Sequence, residues 1–198
     1  MLEHPKADAT TQVKSASDIT MDNQQATESE IGYLAAMLEG EGSIHLSVRK
    51  KKATNRNGSN GIDLVLCVAN TDVAIIQKCA AIIRKYGIEP YIHCYERKEG
   101  WKDCWHVRVS RIAHAVVLLP ALIPHMAGQK KHKAELIVEF LARRLSRTTN
   151  RSNGGPTWYD QQDWDSVRKI YELEGKGEAF ALKVPRDYTP PAEPILVQ

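Results

Sequence analysis

The sequence predicts an α+β fold with the element order α-β-β-α-β-β-α, followed by a helical extension. Three observations carry that reading. Two amphipathic helical segments each lead into a pair of segments in which apolar and polar side chains alternate, with turn-forming residues between the members of a pair. A further helix closes the second unit. No second copy of the stretch Leu34–Gly42 exists, and no internal repeat is visible. At 198 residues the chain is long enough for one domain with some excess, burying roughly 70% of its unfolded surface.

Residues 1–27 are rich in Ala, Thr, Ser, Asp and Gln and nearly free of large apolar side chains, so a disordered tail is expected there. Thr27 followed by Glu30 is a capping box, and it opens a helix over 28–39 with Ile31, Leu34, Ala35 and Leu38 on one face. Gly32, Ala35 and Ala36 are small enough to let another backbone approach. Gly40 and Gly42 end the helix. Glu39 and Glu41 stand at this end, where the helix dipole is negative. Two carboxylates there imply a cation close by.

From Ser43 to Lys52, Ile44, Leu46 and Val48 face a core while Ser43, His45, Ser47, Arg49 and Lys51 face outward. The turn-forming run 55–61 leads to a second strand over Ile62–Val68, with Asp63 on the open face. Asn70-Thr71-Asp72 opens a helix buried through Val73, Ile76, Ala80 and Ile83 and stopped at Gly87. In the second hairpin Tyr91, His93, Tyr95 and Arg97 alternate with Ile92 and Cys94. On the return, His106, Arg108 and Ser110 alternate with Trp105, Val107 and Val109. A short helix over 111–119 is expected to end near Pro120. Another opens at Gly128 and buries Leu136, Ile137, Phe140 and Leu141, with Arg143 and Arg144 suited to its last turn. These elements make up a domain over 28–145. Residues 146–184 form a helical extension with a helix over 160–174, and 185–198 a Pro-rich, extended tail.

The net charge of +3 hides its distribution. Residues 29–145 hold eighteen Lys/Arg against eleven Asp/Glu, net +7, while both flanks are acidic. A basic centre suits a nucleic-acid partner, as it would suit a plain solvated surface. No apolar run approaches the ~18 residues of a membrane span, and the first 21 residues are polar, so an intracellular protein is expected. The four cysteines form no CxxC pair; they read as reduced thiols, with a zinc site from His93, Cys94, Cys104 and His106 as the alternative.

The stretch Leu34-Ala35-Ala36-Met37-Leu38-Glu39-Gly40-Glu41-Gly42 resembles the nine-residue motif of the LAGLIDADG homing endonucleases, with Ala36 in place of a glycine and Glu39 and Glu41 in place of aspartates. The element order over 28–145 matches that family too. The resemblance implies a curved four-stranded antiparallel sheet, a saddle over DNA, backed by helices. It implies that Glu41 is catalytic and binds the metal, with the Gly40 carbonyl assisting. Lys130 would stabilise charge or poise water. Asn70 would orient water, or else cap the helix that follows. Mg²⁺ is the expected cofactor, with Mn²⁺ substituting and Ca²⁺ binding without supporting cleavage.

One motif supplies one Glu41, so a homodimer packed through Gly32, Ala35, Ala36 and Glu39 is expected, acting on double-stranded DNA at a long pseudo-palindromic site; the resemblance further implies 3′ overhangs and a role in intron homing. Ser43, His45, Ser47, Arg49, Lys51, Asp63, His93, Tyr95, Arg97, His106 and Arg108 would contact the DNA. The rival reading keeps the saddle and drops the chemistry: a DNA-binding regulator or an RNA intron maturase.

Overall fold

A computed structural model describes residues 25–49, 61–147, 159–185 and 188–189. Lys51, the first hairpin's connection, residues 1–24 and most of the Pro-rich tail lie outside them. The chain runs α1 (Glu28–Gly40), β1 (Gly42–Arg49), β2 (Gly61–Asn70), α2 (Val73–Arg84), β3 (Tyr91–Tyr95), β4 (Cys104–Val109), α3 (Ile112–Leu122), a 3₁₀ turn (Ile123–His125), α4 (Gly128–Ser146), α5 (Gln161–Leu173) and α6 (Gly177–Ala181). The expected order is present, with α6 as an addition.

The strands form one antiparallel sheet in the order β1-β2-β4-β3. Ile44 pairs with Leu66 and Leu46 with Leu64 across β1 and β2, and Val68 pairs with Val107 across β2 and β4. These side chains are buried on one face, under α1, α2, α3 and α4. Because side chains alternate along a strand, the polar residues between them all emerge on the other face.

Helix α1 starts as expected. The Thr27 hydroxyl accepts from Glu30 N, and the Glu30 carboxylate accepts from Thr27 N at 2.8 Å. Glu30 also ties the helix to the end of α2, since its oxygens accept from Lys85 Nζ at 2.7 and 2.9 Å. That bond holds the Glu30 carboxyl down at about 2. Ala26, which the sequence reading places in the N-terminal tail, is buried in the core.

Pro120 does not end α3, which continues to Leu122. Proline forfeits one helical hydrogen bond, but Leu118, Leu119 and Leu122 are buried on the inner face and hold the last turn in place.

The C-terminal extension is not a separate body. Trp164, Val167, Ile170, Tyr171 and Phe180 belong to the same hydrophobic cluster as the sheet. The Tyr171 hydroxyl accepts from Val48 N on the outer edge of β1, and the Tyr159 hydroxyl accepts from Ile62 N. Both bonds satisfy N–H groups that an open strand edge would leave to a stray partner. Tyr188, expected in the loose tail, donates to Asp165 and packs edge-on against Phe180.

Candidate active site and nucleic-acid interface

The corner between α1 and β1 is built around a close contact. A Cβ on Gly42 would lie 2.5 Å from the Leu38 carbonyl oxygen, so only glycine allows the strand to leave the helix at this angle. The corner places Glu41 at the helix C-cap, with its N–H bonded to the Met37 carbonyl and its own carbonyl accepting from Ala69 N at 3.3 Å. Its backbone is pinned on both sides. Its carboxylate is exposed and makes no hydrogen bond or ion pair among the described residues.

The cation implied by this helix end is Lys130. Its ammonium donates to the carbonyls of Leu38 (3.0 Å), Glu39 (2.6 Å) and Gly42 (2.9 Å). An ammonium has three N–H donors, and all three are engaged on backbone. Burial lowers the Lys130 pKa, and Lys133 adds to that. The roles expected of Lys130 are to stabilise charge or to poise water; in this geometry its ammonium clamps the end of α1 beside Glu41. Glu39 is occupied as well. Its carboxylate accepts from Ala127 N at 2.6 Å and so caps α4, whose own N-cap residue, Ala127, has no side-chain acceptor.

Alternation puts Asn70 on the helix-covered side with Val68, paired with Trp105. Its Oδ1 accepts from Asp72 N at 2.9 Å, and Asp72 itself caps α2 through Ala74 N. Asn70 thus closes the turn that leads into α2. Ala35 leaves the expected interface set, because it is fully buried in the chain's own core. Ala36 and Gly40 are exposed on the outer side of α1, and a Cβ on Gly40 would meet nothing within 4 Å.

The open sheet face gathers the expected DNA-contacting residues in rows. Strand register aligns Ser43, Cys67, Arg108 and Tyr91 in one row across all four strands. Ala69, His106 and His93 make the next row, and Cys104 and Tyr95 the one after. His45 lies opposite Val65, and Ser47 opposite Asp63. The rings of Tyr91, His93, Tyr95 and His106 form a continuous ladder, with centroids 5.9, 4.5 and 4.5 Å apart. His106 is held edge-on between two thiols, Cys67 Sγ at 3.4 Å and Cys104 Sγ at 3.6 Å. Burial lowers the pKa of both His45 and His106. Arg49 and Asp63 form a forked ion pair with each other, Nε to Oδ2 at 2.9 Å. Arg97 lies past the end of β3, in the connection, where its N–H donates to Asp103.

The zinc alternative fails on alternation. Cys94 lies on the opposite side of β3 from His93, and no cluster of three metal-binding side chains exists among the described residues. The turn after α5, which sequence reasoning did not connect to the site, reaches the open face. Lys133 Nζ donates to Glu174 at 2.6 Å, Lys176 donates to the same carboxylate, and the charges of all three act on His45.

Residues 28–119 match the family described as a LAGLIDADG-like domain. The structure is similar to I-SmaMI, a LAGLIDADG homing endonuclease solved bound to cleaved DNA, with 14% identity and a TM-score of 0.52, covering 86% of this chain and 54% of that one. It is also similar to the homing endonuclease I-TnaI, with 12% identity and a TM-score of 0.51, covering 77% of this chain and 94% of that one. At these identities the likeness is one of fold. No curated protein matches the sequence. Among the described residues no helix is long and apolar enough to cross a membrane.

Proposed function

The chain carries a LAGLIDADG-like domain over residues 28–119, and on that premise we propose that it is a metal-dependent, site-specific double-strand DNA endonuclease that works as a homodimer. The observation that carries this reading is Glu41. A carboxylate at the negative end of a helix is disfavoured; here it is held rigidly at the corner, exposed, and left without a partner among the described residues. A divalent cation supplies what the chain does not.

The donors fit such an ion. The Glu41 carboxylate is a hard oxygen ligand, and Lys130 leaves the Gly40 carbonyl beside it untaken, while the Glu41 carbonyl is engaged by Ala69 N. One carboxylate with phosphate oxygens suits Mg²⁺, which keeps several of its waters; Mn²⁺ would substitute, and Ca²⁺ would bind without supporting cleavage. When bound, the metal lowers the pKa of water and offsets charge on the phosphoryl group. The chain's own residues hold and orient. Lys130 fixes the carboxylate's position. The polar rows on the sheet contact the backbone and base edges, with Ser43, His45, Ser47, Arg49, Asp63, His93, Tyr95, His106 and Arg108 on the open face and Arg97 at its rim.

Cutting two strands needs two such corners. The outer side of α1, with Gly32, Ala36 and Gly40, offers little side-chain bulk, and a second copy packed there would bring two Glu41 side chains together on a two-fold axis. The target would be long and pseudo-palindromic, and cleavage would leave 3′ overhangs, in the service of intron homing.

The test is a cleavage selection on a randomised or genomic duplex library with Mg²⁺, run beside Glu41→Gln. Discrete cuts at one pseudo-palindromic site, absent for the variant, are the expected outcome. DNA bound and left intact by both proteins would replace this reading with that of a regulator or maturase. Gel filtration of Gly40→Arg tests the dimer: the variant should elute as a monomer.

A further inference from the structure

A second basic site lies at the outer edge of the sheet, on the far side from β1. There the start of β3, the end of β4 and the start of α3 enclose a cavity of about 370 Å³, lined among others by Glu89, Tyr91, Arg108, Ser110, Arg111 and His114. We infer that this cavity binds a phosphodiester of the DNA strand lying on the sheet, anchoring the backbone outboard of the base-reading residues. The inference rests on the DNA-binding reading above and adds to it a site outside the motif corner.

Four observations carry it. First, the one acid in the lining is already neutralised. The Glu89 carboxylate is gripped by Arg84, with Nε at 2.9 and 3.1 Å and Nη2 at 2.7 Å, and this bond holds the Glu89 pKa below its ordinary value. The cavity's uncompensated charge is that of Arg108 and Arg111. Second, Arg108 Nε is buried and has no hydrogen-bond partner among the described residues. A buried donor left unmade is costly unless a ligand supplies the acceptor. Third, Arg111 is the N-cap of α3 and provides no side-chain acceptor; its carbonyl takes the His114 N–H, which leaves the Ile112 and Ala113 N–H groups of this 11-residue helix without a side-chain cap. Helix N-termini favour anions. Fourth, Arg108 and Tyr91 are directly paired across β4 and β3 and end the row that begins at Ser43.

Three strand spacings, about 14 Å, separate the two ends of that row. A nucleic-acid strand crossing the face therefore passes the cavity's mouth. Guanidinium groups take phosphate oxygens in a fork, and the Ser110 hydroxyl and Tyr91 phenol add neutral donors suited to the same oxygens.

The experiment is a salt titration of DNA affinity by fluorescence anisotropy, using the full chain and duplexes of random and of selected sequence. Arg111→Ala should lower affinity on both by the same factor. It should also reduce the slope of log K against log[NaCl] by about 0.9 per chain, one phosphate contact. Arg111→Lys should recover most of the slope, and His114→Ala should give a smaller loss. An unchanged slope in a folded Arg111→Ala protein overturns the site. Inorganic phosphate is the second probe. If it raises the melting temperature of the wild type and not of Arg111→Ala while the DNA slope stays the same, the cavity takes a free phosphate and the nucleic-acid assignment is wrong. If the wild type binds no DNA at all, the functional reading fails along with this one; a defect confined to the variants concerns this cavity alone.

Discussion

Two acidic side chains stand at helix ends in this molecule and are treated in opposite ways. Asp163, in the first turn of α5, is fully buried. It accepts from Arg143 at 2.8 Å, Arg144 at 3.3 Å and Arg147 at 2.6 Å, and with Asp160 it forms a reciprocal cap. Its place at a helix N-terminus is the favourable one for an anion. Glu41 has the unfavourable place, at a C-terminus, and is exposed with no partner among the described residues. The first carboxylate is compensated inside the chain and joins α4 to α5. The second is held in position by backbone bonds, with Lys130 at the same helix end but no partner of its own among the described residues, which suits the metal-ligand role proposed for it.

The largest stability effect belongs to Asp163→Ala, which removes the buried acceptor shared by three guanidiniums, two of which keep Asp160. Removing one partner from a buried ionic cluster costs about 3–5 kcal/mol, to be read from urea unfolding; a loss below about 1 kcal/mol would mean that the cluster is not what joins the extension to the sheet. Lys130→Met should come next. It deletes three charge-assisted bonds at the end of α1, for a loss of about 1.5–3 kcal/mol, together with loss of cleavage. Full stability with no cleavage would return Lys130 to direct chemistry.

Gly42→Ala brings a methyl to 2.5 Å from the Leu38 carbonyl. Overpacking of this kind costs about 1–3 kcal/mol, and the shift would move Glu41. Gly40→Ala, with nothing within 4 Å, should be neutral to the fold of one chain and disturb only the packing of two.

A smaller, pH-dependent effect comes from the other end of α1. The Lys85 ammonium beside Glu30 holds its carboxyl at about 2, below the ordinary 4.5. A depressed carboxyl contributes stability that is present above its unfolded value and lost as pH falls through the folded one. The melting temperatures of wild type and Glu30→Gln should therefore differ at pH 7 and converge between pH 4.5 and 2. The smallest effect on stability is expected of Glu41→Gln, which should melt with the wild type, within ~0.5 kcal/mol, while losing cleavage. A measurable loss of stability in that variant would show that Glu41 has a structural partner after all.

Much of the fold was legible because its signals are local. The capping box at Thr27 and Glu30 needs only two residues three apart. The alternation of Ile44, Leu46 and Val48 with Ser43, His45 and Ser47 needs only a period of two. Both survive intact. The open face of the sheet followed from the same alternation. Where local reading went wrong, a rule was outweighed. Pro120 gave way to buried leucines, and Asn70, a good cap by type, gave that place to Asp72.

The sequence by itself determined the elements, the faces of the strands and the presence of a carboxylate at an unfavourable helix end. Only the tertiary structure decided what compensates what. Lys130 meets Leu38, Glu39 and Gly42 across some 90 positions of chain, Glu39 caps a helix 88 residues away, and Tyr171 satisfies a strand edge 123 residues away. Arg143 and Arg144 read as ordinary complements to a helix dipole until α5 brings Asp163 against them. Propensity and periodicity act between neighbours. Satisfying a buried polar group depends on which surfaces the folded core brings together, and that is a property of packing.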